Sequence, residues 1–202
     1  MQTKQVVDPA VSRAKFDREI AAYRKMEATY RKRGWLLLDA EFPEVCVAFA
    51  ACKLRPSPMV AAVVIDFTDY DLRPLSVRFV DPFTREPLTM RNVNFMMLRR
   101  PSMPPEVFEA LVQQGGASPT NILQSNGLDD LPFICLPGVR EYHDNPAHSG
   151  DSWLLHRASG EGCLAFILDK IWTYGVEPIS AFQVQIQTNA VAVAFNLQAI
   201  PE

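Results

Sequence analysis

The chain lacks any run near the roughly 18 apolar residues that a membrane-spanning helix requires, so no span is expected. Its N-terminus, MQTKQVVDPAVSRAKF, has no apolar middle of the kind a secretory signal needs and passes straight into a charged, periodic segment. Cysteine is scarce: four in 202 residues (Cys46, Cys52, Cys135 and Cys163), with no Cys-x-x-Cys spacing. That argues against a disulfide framework and for reduced thiols, hence an expected cytoplasmic location. Neither sign of charge dominates, since 20 Lys and Arg face 23 Asp and Glu for a formal net charge of −3. The balance leaves no electrostatic reason to expect a nucleic-acid partner. The short basic runs Arg24-Lys25, Arg31-Lys32-Arg33 and Arg99-Arg100 read as solvated helix faces or helix ends. No repeat, low-complexity tract or linker interrupts the chain, so one domain over residues 1–202 is expected.

What is present is a hydrophobic content of 48%, enough for a sizeable core. Asp8 followed by Pro9 is a helix start, and Gly34 is placed as a helix stop. Between them Phe16, Ile20, Tyr23, Met26 and Tyr30 form one apolar stripe. Four β-branched and aromatic segments follow, WLLLDAEF (35–42), VCVAFAAC (45–52), MVAAVVIDF (59–67) and LSVRFVD (75–81), separated by proline-bearing turns. Cys46 and Cys52 fall among small apolar neighbours and read as core residues. Closely spaced strands after one helix predict an α+β fold, an antiparallel meander covered by helices. Residues 83–131 read as an irregular insertion, with a helix in PPEVFEALVQQGG capped by Ser102 and a turn-rich loop in ASPTNILQSNGLDD. A second helix is expected at about 160–174, presenting Cys163, Phe166, Ile167, Lys170, Ile171 and Tyr174 on one face. Alternation in the tail predicts a C-terminal hairpin at 181–198 that turns at Thr188-Asn189.

The stretch FICLPGVREYHDNPAHSGDSWLLH (133–156) collects all three histidines of the chain, His143, His148 and His156, with Cys135 and Trp153. Two chemistries compete for it. Cys135 and the three histidines would supply four zinc ligands, with Asp144 and Asp151 in reserve. The gaps of seven, four and seven residues match no zinc-finger spacing, and Pro146 keeps His143 and His148 off a common helix face. Alternatively Cys135 is a nucleophile, placed where a strand ends before Leu136-Pro137-Gly138, with Arg140 and the histidines near enough in sequence to tune its thiol. A plainer account remains beside both: a strand-end cysteine, turn formers at Asp144-Asn145-Pro146 and Ser149-Gly150-Asp151, and Trp153 as a loop anchor.

The order of these segments resembles the ubiquitin-conjugating (UBC/RWD) fold. The residues that carry the resemblance are Tyr70-Asp71-Leu72-Arg73-Pro74-Leu75-Ser76-Val77-Arg78-Phe79, then Ile134-Cys135-Leu136, Trp153 and the helix at 160–174, following a first helix and a meander. More narrowly, CLPGVREYHDNPAH with SGDSWLLHR is similar to a divergent bacterial group encoded beside ubiquitin-like proteins and activating enzymes, whose members are described as conjugating-enzyme-like or as metal-binding. The resemblance implies that Cys135 carries a ubiquitin-like protein as a thioester, with Asn145 as oxyanion donor and His143 or His148 as base. It implies a ubiquitin-like protein, an activating enzyme and a second conjugating-enzyme-like subunit as partners, and no obligatory cofactor. Under the alternative the chain is a silent variant that only binds such partners, with Cys135 structural and the histidine loop held by zinc on His143, His148 and His156 or by hydrogen bonds alone. The family's His-Pro-Asn tripeptide does not precede Cys135, and the segment from Phe79 to Cys135 is longer than the family norm.

Overall fold

Asp8 begins the first helix by accepting the Ala10 amide in its carboxylate (2.9 Å), and Pro9 fills the first turn, where it has no amide to lose. In this computed structural model, which describes residues 6–99, 103–148 and 150–181, that helix (α1) runs Pro9–Lys32. It stops before Gly34, whose φ of +87° suits glycine and whose Cα lies so near the Ala50 carbonyl that a Cβ would fall 2.1 Å from its oxygen. α1 buries Ser12, Phe16, Ile20 and Tyr23. Met26, expected on the same stripe, is 46% exposed, because ten residues at 3.6 per turn carry it about 80° round from Phe16. No helix among the described residues is long and apolar enough to cross a membrane.

The four strands expected are present: β1 (Trp35–Glu41), β2 (Glu44–Ala50), β3 (Met59–Asp66) and β4 (Ser76–Phe79). They form one antiparallel sheet in the order β1-β2-β3-β4, with Trp35 opposite Phe49, Val47 opposite Val63 and Val63 opposite Phe79. Period-two alternation sends Val45, Val47, Phe49, Val63, Ile65, Val77 and Phe79 into the main core with α1. The other face holds a smaller cluster of Cys46, Ala48, Ala62, Val64 and Val80, so Cys46 is buried on the outer side of the sheet.

Within 83–131 the short strands β5 (Leu98–Arg99), β6 (Thr120–Asn121) and β7 (Leu123–Gln124) appear with a helix, α2 (Pro105–Gln113). β5 pairs with β6, and β7 pairs with β8 (Phe133–Ile134). At the kink between β6 and β7, the Asn121 carboxamide oxygen accepts the Met97 and Leu123 amides (3.2 and 3.1 Å). The stretch expected to be a plain loop therefore holds strand pairs, too short to show any period. The residue before α2 is Pro104, which offers no side-chain cap, and Ser102, expected in that role, lies outside the described residues.

The helix expected at about 160–174, α5 (Leu164–Ile171), starts four residues later than expected because Gly160 (φ +85°) and Gly162 precede it. Its buried face is Leu164, Ile167, Leu168 and Ile171, rotated from the expected one. Cys163 is the residue before the helix, and Lys170 lies 4.7 Å over the Phe166 ring on the flank. The helix continues as a π-helical turn, Trp172–Val176. The expected hairpin lies, but for Ala181, outside the described residues.

Candidate active site

β8 delivers Cys135 to the rim of the small ladder, where its amide donates to the Ile122 carbonyl (2.7 Å). The chain then turns alongside β4: Val139 bridges Leu75 and the Arg140 amide donates to the Leu75 carbonyl (2.9 Å). Two short helices follow, α3 (Arg140–Asp144) and α4 (Trp153–His156), and between them a 3-10 turn at Pro146–His148 adjoins the expected turn formers Asp144-Asn145-Pro146. α3 is tied to the sheet by Glu141 and by Arg140, which was expected beside the Cys135 thiol and instead meets backbone carbonyls. Buried Arg140 donates from Nε to the Pro74 carbonyl (3.1 Å) and also to the Thr68 carbonyl. Glu141 accepts the Val77 amide (3.1 Å) and the Ser76 hydroxyl, and loss of hydration pushes its carboxyl above the usual range. Trp153 is the anchor expected: it is buried, its Nε1 donates to the Asp71 carbonyl (2.9 Å), and Gly162 lies against its ring.

This scaffold brings two of the candidate residues into contact. Cys135 Sγ lies 3.6 Å from His148 Nε2, within reach of a sulfur hydrogen bond. The His148 ring stacks on Tyr142, with centroids 4.3 Å apart and planes 25° apart, and Phe133 meets it edge-on at 6.4 Å. Burial pushes the half-buried Cys135 thiol up, and the Arg99 guanidinium opposes that shift. The resting cysteine is therefore a thiol beside an imidazole, an arrangement in which the ring can take the proton as sulfur attacks.

The other candidates do different work. His143 is locked between backbone carbonyls, Nδ1 at 2.9 Å from Asp151 O and Nε2 at 2.6 Å from Pro137 O, so it staples the two ends of the loop. His156 lies between carboxylates, Nε2 at 2.6 Å from Asp151 and Nδ1 at 3.0 Å from Glu161. The hydrogen bond to Asp151 raises the His156 pKa and lowers that of Asp151. The second Asp151 oxygen accepts the Tyr142 hydroxyl (2.9 Å), and burial, then this bond, push the phenol up to about 12. Asn145 turns its carboxamide oxygen to the Ala147 amide (2.9 Å), an ordinary turn contact. Among the described residues no group of three or more His, Cys, Asp or Glu side chains is arranged to hold a metal. The zinc reading through His143, His148 and His156 does not fit, because their ring nitrogens face carbonyls, carboxylates and a thiol along separate directions. Tyr142 and Glu161 were not singled out from the sequence. The one available signal was a tyrosine directly before His143.

The sequence model of the Y4jH family, described as Y4jH-like, matches residues 7–179 and so takes in every side chain of this site. A protein of Sinorhizobium fredii (strain NBRC 101917 / NGR234), named as uncharacterized protein y4jH, is 53% identical over 205 residues, covering 100% of each chain.

Proposed function

We propose that this chain, which belongs to the Y4jH-like family, is an acyl-transfer protein of the ubiquitin-conjugating kind whose reactive group is Cys135. The observation that carries the reading is the 3.6 Å contact between Cys135 Sγ and His148 Nε2. The order of elements also favours it: α1, the β1-β2-β3-β4 meander, the Tyr70–Phe79 phrase joining β3 to β4, the cysteine and then α5, in the sequence that a UBC/RWD fold would have. In this mechanism Cys135 Sγ attacks the thioester carbonyl of a ubiquitin-like protein held on an activating enzyme. Its proton passes to His148, the donor's thiol leaves carrying a proton, and a new thioester forms on Cys135. An amine then attacks that carbonyl with His148 relaying its proton, and the product is an amide and the free Cys135 thiol. His148, not His143, is the base this geometry favours, and Asn145, expected as the oxyanion donor, holds the Ala147 amide instead. His143 serves instead as a staple of the loop.

The test is incubation with ATP and the activating enzyme and ubiquitin-like protein encoded in the same genome. A thiol-reducible adduct mapped to Cys135 is the expected product, replaced by a reductant-resistant ester in Cys135→Ser. A reducible adduct that persists in Cys135→Ser sinks the mechanism. A second reading, a silent variant that docks conjugation partners without charging, is favoured by the burial that pushes the Cys135 thiol up. It predicts binding of the ubiquitin-like protein with no adduct at all.

A further inference from the structure

His148 ends a 3-10 turn, Pro146–His148, in which no residue is buried. Such a turn leaves a ring's rotamer free unless something outside it fixes the plane. The backbone contact at this point, His148 amide to Asn145 carbonyl at 3.0 Å, orders the chain and not the ring. What meets the ring face is Tyr142, stacked at 4.3 Å. The same tyrosine meets His143 edge-on at 4.9 Å, and its hydroxyl donates to Asp151 Oδ2 at 2.9 Å. Asp151 Oδ1 is taken by His156 Nε2 at 2.6 Å, and His156 Nδ1 by Glu161 at 3.0 Å. Tyr142 thus belongs both to the reactive pair and to a chain of charged groups running to residue 161, just ahead of α5.

We propose that Tyr142 is the positioning residue of the Cys135–His148 pair: its ring sets the plane of His148, and its hydroxyl anchors that ring through Asp151 to His156 and Glu161. The proposal rests on the reading of Cys135 and His148 as nucleophile and base. Tyr142 touches no reacting atom in it. Two parts of one side chain have separable roles, the ring face for orientation and the hydroxyl for rigidity, so two substitutions distinguish them. Tyr142→Phe keeps the stack and drops the anchor, whereas Tyr142→Ala drops both.

The experiment is the pH dependence of Cys135 alkylation by iodoacetamide, followed on the Cys135 peptide by mass spectrometry so that the other cysteines do not contribute. The wild-type chain is expected to show an inflection from the neighbouring base in its pH–rate profile, separate from the thiol's own titration. His148→Ala should remove that inflection. Tyr142→Ala should give the same profile as His148→Ala, and Tyr142→Phe should keep the inflection with a rate lower by roughly fivefold near neutral pH, the worth of one ordinary hydrogen bond. A merely structural tyrosine would change the stability and leave the shape of the profile alone. If the Tyr142→Ala profile matches wild type while that of His148→Ala does not, the positioning role is wrong and the base survives. If His148→Ala itself matches wild type, the base assignment fails and the positioning role goes with it. Should Tyr142→Ala not fold, Tyr142→Phe and Asp151→Ala, which cut the same bond, must show the same drop. Wild-type rates in both overturn the proposal.

Discussion

His156 shows how far a single residue here departs from its sequence appearance. Read in the chain it is one of three clustered histidines, and a metal ligand is a reasonable expectation. In the fold its ring lies between the carboxylates of Asp151 and Glu161. Residue types and spacing pointed to this segment and to Cys135, but not to which histidine meets it. That depends on side-chain directions across two short helices, which no periodicity encodes. The charge state has a consequence of definite sign. The folded pKa of His156 is raised, so its contribution to stability is complete below the ordinary histidine value of about 6.5 and is lost as pH rises through the folded value. Asp151 is shifted down, so its contribution is complete above about 3.9 and is lost as pH falls through its lowered value. The contact is therefore strongest between these limits and weakens on the alkaline side. In denaturant titrations the stability difference between wild type and His156→Gln should shrink as pH rises from about 6 to about 9. A difference that stays constant across that range means that His156 gains nothing from its proton.

At the scale of elements, legibility followed the ends of segments more than their middles. α1 was readable because Asp8, Pro9 and Gly34 punctuate it. The start and face of α5 were misjudged because Gly160 and Gly162 delay the helix and so shift which residues meet the core. β5 to β7 were invisible as strands, since a two-residue strand shows no alternation and is defined only by its partner, whereas β8 was expected only from its end at Cys135. The turn after β8 depends on a comparable contact that sequence does not reveal. Gly138 lies against the backbone at residues 161–162, so near that an added Cβ would sit 2.0 Å from the Glu161 carbonyl oxygen. Gly138→Ala must push apart the Cys135 turn and the segment that carries Glu161, the far end of the His156 network. A loss of about 1–3 kcal/mol is expected from such overpacking, read as a lower midpoint in urea. Cys135 alkylation should lose its base-dependent inflection at the same time. Wild-type stability in Gly138→Ala means that the two segments separate at no cost and that the turn is not what holds the site.

For the molecule as a whole, the central question is whether the 83–131 insertion is part of the fold or an appendage to it. Its backbone is wired to Cys135: the Ile122 amide donates to the Met97 carbonyl (2.9 Å), and the Ile122 carbonyl accepts the Cys135 amide (2.7 Å). Its side chains Met97, Ile122 and Leu123 join the same buried cluster as Phe16 and Tyr23 of α1, Val63 and Val77 of the sheet, and Ile167 and Ile171 of α5. A long irregular segment that feeds residues at or near zero exposure into the main core should unfold with that core. Leu123, 1% exposed, tests this. Leu123→Ala removes a buried isobutyl group from the insertion, and a loss of about 2–5 kcal/mol is expected if the core is shared. Three signals should then move together to the lower midpoint: far-ultraviolet circular dichroism, fluorescence from Trp35, Trp153 and Trp172, and exposure of Cys135 to alkylation. An insertion that folded apart from the sheet would show Cys135 becoming reactive at a denaturant concentration where the meander and Trp35 remain native. Coincident curves instead make the cysteine's environment a property of the whole fold, so that any substitution weakening the α1–sheet–α5 core also loosens the contact between Cys135 and His148.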